Sequence, residues 1–384
     1  MRYESARLAD FSHSEPEMKR GGADRGFVFL VLLLLSMGLM MIFSSSFARA
    51  YYDPGGITGG KASYFFVRQL FFASAGTFFM WLTSHIPMEV YRKYAFHFLL
   101  FSIILLILVP FIGIKVNGSR RWLGLPGLRL QPSELSKLAL ILSFSALISK
   151  KQGRMKGFKE GILPFLGIMA LIVGLLILEP HFSASVIIIA LGAVMLFLGG
   201  VSLIWFIAAF GVFGTGLGVL LLFFPYASSR ISTWLDPFES SSNEGYQIVQ
   251  SLYSIGSGGL SGLGFGRSVQ KYLYLPEEHN DFIFSVWCEE LGFIGAALLL
   301  GLFALLILRG YYIALHCPDR FSFLLTAGIT SLMFIQIFLN VAVVTNLVPC
   351  TGISLPFFSY GGTALMMELA EMGIILSASR AALD

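Results

Sequence analysis

Residues 26–48 read Gly-Phe-Val-Phe-Leu-Val-Leu-Leu-Leu-Leu-Ser-Met-Gly-Leu-Met-Met-Ile-Phe-Ser-Ser-Ser-Phe-Ala, 23 residues without an ionisable side chain. A helix that crosses the hydrocarbon core of a bilayer needs about 20 such residues. In lipid the backbone must satisfy its own N–H and C=O groups, so a lone segment of this kind reads as a helix. It is too long for the core of a signal peptide, and no small-residue cleavage site clearly follows it. The segment is therefore expected to be retained. Working outward, nine further segments are mostly apolar over approximately that length: 65–86, 94–114, 133–149, 161–179, 183–200, 203–226, 282–309, 321–344 and 356–378.

Composition agrees. The 384 residues are 56% hydrophobic and 12% charged, and mean hydropathy is +0.78. A soluble domain carries about 25% charged residues, so this chain cannot cover a water-facing surface of its size. An ordinary cytosolic enzyme, a disordered chain and a secreted disulfide scaffold are excluded. The expected fold is an all-α polytopic membrane protein of ten transmembrane helices. Residues 1–25 read as a cytoplasmic polar tail, and 26–380 as one membrane domain. A large structured external loop, 227–281, joins helices 7 and 8. Within it, Gln247-Ile248-Val249-Gln250-Ser251-Leu252-Tyr253 has a helical apolar rhythm suited to an interface. Cys288, Cys317 and Cys350 are too few and too scattered for a disulfide framework or a metal cage, and read as small buried apolar residues.

Charge gives the orientation. With both termini inside, 15 of the 26 Lys and Arg residues fall on the cytoplasmic side, including Lys150, Lys151, Arg154, Lys156 and Lys159. Most of the outside cations concentrate in 115–137 and 230–271. Cations kept on the disfavoured side read as functional. Net charge is only +4 and no dense basic stripe exists, so nucleic acid is not an expected partner.

Four constellations carry candidate chemistry. The first is Leu275-Pro276-Glu277-Glu278-His279-Asn280-Asp281 at the mouth of the eighth span. Asp281 is the last ionisable group before the membrane; partial desolvation should raise its pKa and make it a better base. Equally, Asp281 or Asn280 could cap the helix that follows. The second is Asn117-Gly118-Ser119-Arg120-Arg121-Trp122 with Gln131-Pro132-Ser133-Glu134-Leu135-Ser136-Lys137, a cationic pocket suited to phosphate oxygens. The bland reading is lipid-headgroup anchoring beside a belt tryptophan. The third is the glycine-rich run 256–266, which lacks the strand and helix context of a dinucleotide fingerprint and suits close packing or a re-entrant turn. Arg267 and Lys271 follow it and extend the cationic patch. The fourth is 349–363, either a broken helix lining a cavity or an external loop with a helix starting at Pro356. Glu289, Glu290, Glu368 and Glu371 lie at membrane depth, where an ion pair is the default. No dedicated metal-ligand set is visible.

The blocks NGSRRW, QPSELSK, GGLSGLGFGRSVQKYLYLPEEHNDFIF, EELGFIG and TGISLPFFSYGGT, taken together over residues 26–380, resemble the SEDS family (shape, elongation, division and sporulation). The segment 258–295 looks most like its FtsW and SpoVE branch. The resemblance implies a peptidoglycan glycosyltransferase that polymerises lipid II at the outer face of the cytoplasmic membrane. It implies a class B penicillin-binding protein as partner, within a divisome, elongasome or sporulation assembly. Asp281 would be the catalytic general base. Arg120, Arg121, Lys137, Gln131, Glu134, Arg267, Lys271, Glu277 and His279 would form the substrate-binding set. No cofactor is required by this reading, though a divalent cation (Mg or Mn) could assist at the pyrophosphate. The alternatives are a lipid II flippase, which also needs an amphiphile-sized cavity, and a non-catalytic scaffold. The chain departs from the family pattern at Glu179-Pro180-His181, at Asn346 and at Cys350.

Overall fold

Helices account for most of the chain in the computed structural model, which describes residues 21–53, 55–116, 119–125, 128–151, 153, 155, 157–209, 232–239 and 245–381. They are α1 (Arg25–Tyr51), α2 (Tyr64–Thr83), α3 (Met88–Ile112), α4 (Pro132–Lys150), α5 (Leu163–Leu178), α6 (Phe182–Leu198), α7 (Tyr246–Ser257), α8 (Ile283–Leu315), α9 (Arg320–Val344) and α10 (Gly362–Ala381). Five of them, α1, α2, α3, α8 and α9, are long and apolar enough to cross a membrane. α5 and α6 are shorter apolar helices. Most of the expected seventh span lies outside the described residues; its start, 203–209, is helical. Most of the polar tail, residues 1–20, and parts of the 227–281 loop also lie outside them.

The expectation of an all-α chain is corrected at one place. Between α3 and α4 the described residues form a three-stranded antiparallel meander, β1 (Ile114–Val116), β2 (Ser119–Leu125) and β3 (Leu128–Leu130), in the order β1-β2-β3. The cause is local. Arg121 and Leu123 alternate with Trp122 and Gly124, and period-2 patterning in short connections favours hairpins. The meander carries Arg120, Arg121 and Trp122.

α4 and α9 are buried on nearly every face and form the centre of the bundle. α10 packs on α2, α3 on α4, and α8 on α1 and α9. Lipid-facing helices carry large exposed apolar side chains, among them Phe71, Phe111 and Leu308, as a bilayer-embedded surface requires. α4 starts with Pro132 at its first turn, and Ser133 makes no capping bond. Cys288, Cys317 and Cys350 form no disulfide.

α8 is broken at Gly292, whose φ of 64° and ψ of −166° belong to glycine alone. The glycine-rich run fills the break. Leu263 N–H donates to Glu289 O and Gly264 N–H to Glu290 O, while Phe293 and Ile294 N–H donate to Gly259 O and Leu260 O, all within 2.9–3.1 Å. A Cβ at Gly292 would fall 2.4 Å from Gly262 N, so glycine is needed there for close approach as well as conformation. This is the close-packing reading of the run.

Beneath that contact sits a buried polar knot. Glu290 pairs with Lys271 at 2.9 Å and accepts from Ser44. Glu289 accepts from Ser254 and Ser268 and from the Val269 N–H. The amphipathic run 247–253 lies in α7, which turns Ser251 and Ser254 as well as Ile248 and Val249 inward. Ser251 Oγ meets Ser285 Oγ at 2.7 Å. α7 is thus docked on α8 through hydroxyls and not only through an apolar stripe. Asn346, at φ 59°, adopts the left-handed conformation that asparagine tolerates next best after glycine. Its amide donates to Trp234 O at 3.0 Å and Trp234 Nε1 returns a bond to Asn346 O at 3.1 Å.

Candidate active site

A cavity of about 1050 Å³ opens among the ends of α1, α2, α4 and α6, the β-meander, the 277–282 segment and the 350–364 segment. Asp281 lines it together with Arg49, Arg68, Arg121, Arg129 and Lys137. Gln131, Glu134, Glu277, Trp122 and His181 also line it.

The backbone around Asp281 is held from the α9 and 350–361 side. Asn340 Nδ2 donates to Asp281 O at 2.8 Å, Ser359 Oγ to Asn280 O at 2.8 Å, and Tyr360 N–H to His279 O at 2.9 Å. On the α1 side, Arg49 forms a bidentate pair with buried Glu278 at 2.7 and 2.9 Å. Despite its burial, Glu278 sits below the usual carboxylate range because bonds to His279 and Arg49 outweigh desolvation. The 350–361 segment is non-helical, and Ile353, Leu355, Phe357 and Phe358 on it are buried. α10 begins at Gly362 and not at Pro356, so this stretch is irregular backbone buried in protein and lining the cavity. Gly352, at φ 63°, has its Cα hydrogens against the Asp281 carboxylate: a Cβ there would sit 3.0 Å from Oδ2.

The Asp281 carboxylate accepts no hydrogen bond from the described residues. α8 is entered through Phe282 with no side-chain cap, so neither Asp281 nor Asn280 serves as one. Burial first, then repulsion from Glu277, raise the Asp281 pKa from 3.8 to about 6, against the pull of Arg121. An unpaired carboxylate of that basicity is suited to accept a proton. Arg121 is itself held below the usual guanidinium range by burial, offset in part by Glu179 and Asp281. Its Nη2 donates to Pro180 O. Lys137 is 2% exposed and pairs with Glu134 at 2.6 Å across one turn of α4.

Four expected binding residues stand elsewhere. Arg120 is exposed and donates to Pro110 O at 2.9 Å, satisfying a carbonyl at the C-terminal end of α3. Arg267 is exposed beside Gly264. Lys271 is consumed by Glu290 in the knot behind α8. His279 is buried between Phe65 and Tyr360, with ring centroids at 4.7 and 5.8 Å, and lies 3.5 Å from Glu278. Sequence reasoning missed Arg49, Arg68 and Arg129 as cavity residues. Each is a single arginine outside the quoted motifs, and only their outward placement signalled them.

Among the described residues no group of three His, Cys, Asp or Glu side chains forms a metal cage. The donor set among the described residues does not fit a protein-held divalent cation.

A multi-pass helical frame around a polar cavity with an unpaired carboxylate in its wall defines a polytopic membrane protein. Residues 25–383 match the FtsW, RodA and SpoVE family, described as cell cycle protein, and the chain belongs to that family. It is 39% identical over 366 residues to "Stage V sporulation protein E" of Bacillus subtilis (strain 168), covering 94% of this chain and 98% of that protein. It is 39% identical over 357 residues to "Probable peptidoglycan glycosyltransferase FtsW" of Trichlorobacter lovleyi, covering 92% of each. Among solved structures it superposes on a chain from "Structural coordination of polymerization and crosslinking by a peptidoglycan synthase complex" with a TM-score of 0.77, 30% identity and coverage of 93% and 98%. Rod shape determining protein RodA of Thermus thermophilus gives a TM-score of 0.68 at 29% identity, covering 94% and 98%.

Proposed function

We propose that the protein is a peptidoglycan glycosyltransferase that polymerises lipid II at the outer face of the cytoplasmic membrane. The observation that carries this reading is the unpaired Asp281 carboxylate in the wall of the arginine- and lysine-lined cavity. The reaction joins a sugar hydroxyl to an anomeric carbon and expels a lipid pyrophosphate. The leaving group is already the anion of a fairly strong acid and needs charge neutralisation more than protonation. One base and several cations therefore suffice, where a glycosidase uses two carboxylates. Asp281 takes the proton of the acceptor hydroxyl, a contribution of roughly 10²–10⁴-fold. Arg121 and Lys137 steady the pyrophosphate as charge develops. Gln131, Glu134 and Glu277 share the cavity and orient the sugars. Direct displacement inverts the anomeric centre.

In this reading the chain crosses the membrane ten times, with 203–226 as the seventh crossing and both termini cytoplasmic. The 227–281 segment stands outside, and a class B penicillin-binding protein is the partner. The reading is tested with purified protein and fluorescent lipid II, with and without that partner. Glycan polymer is the expected product. Transfer of lipid II across a vesicle bilayer without polymer would replace this reading with that of a flippase.

A further inference from the structure

Glu368, two turns into α10, is 8% exposed and takes no part in the chemistry above. Its Oε2 accepts the Phe357 N–H at 3.1 Å, reaching back 11 residues to the irregular segment that lines the cavity. Phe357 has a φ of 65°, a left-handed conformation that a bulky residue keeps only where its surroundings impose it. Those surroundings are set from two sides. From α1, Gly38 approaches so closely that a Cβ there would fall 2.2 Å from Phe357 O. From α10, Glu368 takes the N–H. α10 is in turn fixed on α2, where Thr83 Oγ1 donates to Ala370 O at 2.9 Å.

The backbone donors of 355–361 are accounted for one by one. Leu355 N–H donates to Ser359 Oγ at 2.7 Å, and Phe358 and Ser359 N–H donate to Leu355 O at 3.2 and 3.0 Å. Tyr360 N–H donates to His279 O at 2.9 Å and Gly361 N–H to Gln69 Oε1 at 3.4 Å. Pro356 has no N–H. The Phe357 N–H is the remaining donor, buried in a residue 2% exposed, and Glu368 is its acceptor. Buried backbone donors in folded proteins rarely go without a partner. The same turn holds the stretch before Asp281, since Ser359 Oγ and Tyr360 N–H pin the carbonyls of Asn280 and His279. Nearer the start of the segment, Gly352 lies against the Asp281 carboxylate.

We propose that Glu368 is a positioning residue for the reaction: by accepting the Phe357 N–H it fixes the 355–360 turn, and through Ser359 and Tyr360 the turn sets where Asp281 stands in the cavity. This rests on the functional reading above, which makes Asp281 the base. Glu368 itself does not line the cavity. A carboxylate and a protonated carboxyl both accept an N–H, so the contact holds whatever the charge of Glu368. The charged and titratable groups facing it are Lys137 and Glu134 on α4 and Glu371 on α10.

The test compares Glu368→Gln, which keeps an acceptor oxygen, with Glu368→Leu, which does not. Gly38→Ala pushes on the same turn from α1 and serves as a second disruptive variant. Each full-length protein is assayed with its partner on fluorescent lipid II, and rates are taken per folded molecule from thermal unfolding. Glu368→Gln should stay within about threefold of wild type, because the hydrogen bond is kept. Glu368→Leu and Gly38→Ala should lose roughly 10- to 100-fold in kcat with KM within about twofold. Their acid limb should also move down by on the order of one pH unit, because water that reaches Asp281 relieves its desolvation. Glu277 and Arg121, the charges facing that carboxylate, are unchanged in these variants. Equal losses in the Gln and Leu variants would mean that a titrating group is needed at 368, and would overturn the proposal. A Glu368→Leu protein with wild-type kcat and acid limb, and only a lower melting temperature, would make the contact merely structural and overturn it too. Hydrogen exchange of the wild type needs no variant: the Phe357 amide should exchange at least about 100-fold more slowly than in an unstructured peptide. Exchange at the free rate would overturn the clamp and leave the functional reading standing. A wild type that formed no polymer would overturn the functional reading, and the role of Glu368 with it.

Discussion

Asn340 Nδ2 donates to the main-chain carbonyl of Asp281 at 2.8 Å and to that of Ile353 at 2.7 Å, so one buried amide ties the carboxylate's backbone to the irregular 350–361 segment of the cavity rim. Asn340 is fully buried. Asn340→Ala leaves two carbonyls unpaired, at a cost of about 1–3 kcal/mol in stability. Because it acts through position, kcat should fall by up to about 100-fold while KM stays near the wild-type value. Steady-state kinetics on lipid II, normalised to the folded fraction read from a melting curve, separate this from general unfolding, which would leave kcat per folded molecule unchanged.

The acid limb of activity should report Asp281. Its pKa is raised to about 6, and the base works only when deprotonated. kcat/KM should therefore fall tenfold per pH unit below about 6 and level off above it. A plateau extending to pH 4 would disagree with this environment for the carboxylate.

The same shift has a thermodynamic sign. A carboxyl whose pKa is higher in the folded state favours folding most at low pH, and that stability is lost as pH rises from about 4 through about 6. From 3.8 to about 6 this amounts to at most about 3 kcal/mol at neutral pH. Asp281→Asn should therefore melt higher than wild type at pH 7, with the gap closing below pH 4. Differential scanning fluorimetry across that range is the check.

Lys137, 2% exposed, pairs at 2.6 Å with Glu134, which is partly exposed and lines the cavity. Lys137→Ala should destabilise by about 1–3 kcal/mol, since it removes the partner of the Glu134 carboxylate. The double change Lys137→Met with Glu134→Gln should recover most of that stability without recovering polymerisation. Recovery of both would argue against contact between Lys137 and the substrate.

Gly292→Ala should uncouple the glycine-rich run from α8, because both the conformation and the 2.4 Å approach to Gly262 N exclude a side chain. A strain of about 1–3 kcal/mol is expected. Hydrogen exchange should rise in 258–281 more than in α9 or α4.

Much of this architecture was readable in the sequence, because apolar runs such as 26–48 and 321–344 have one stable form in lipid. The β-meander was not, since strands of three to seven residues in a polar connection resemble any loop. That Asp281 stands at a membrane-edge cavity was legible from its place before Phe282. Lys271 was misread for a physical reason: a lysine in a cationic run looks free until Glu290 and Ser44, far away in sequence, come within hydrogen-bond reach. Arg49 was opaque for the converse reason, since a lone arginine at a helix end reads as an interfacial anchor until Glu278 is seen beside it.

The central claim is that Asp281 removes the acceptor's proton. The most direct measurement is the rate of glycan polymerisation from lipid II by purified wild type and Asp281→Asn, each with partner and each shown to bind lipid II. The account predicts a loss of roughly 10²–10⁴-fold in a variant that still binds substrate. Polymer formed by Asp281→Asn at a rate within a few-fold of wild type would contradict it.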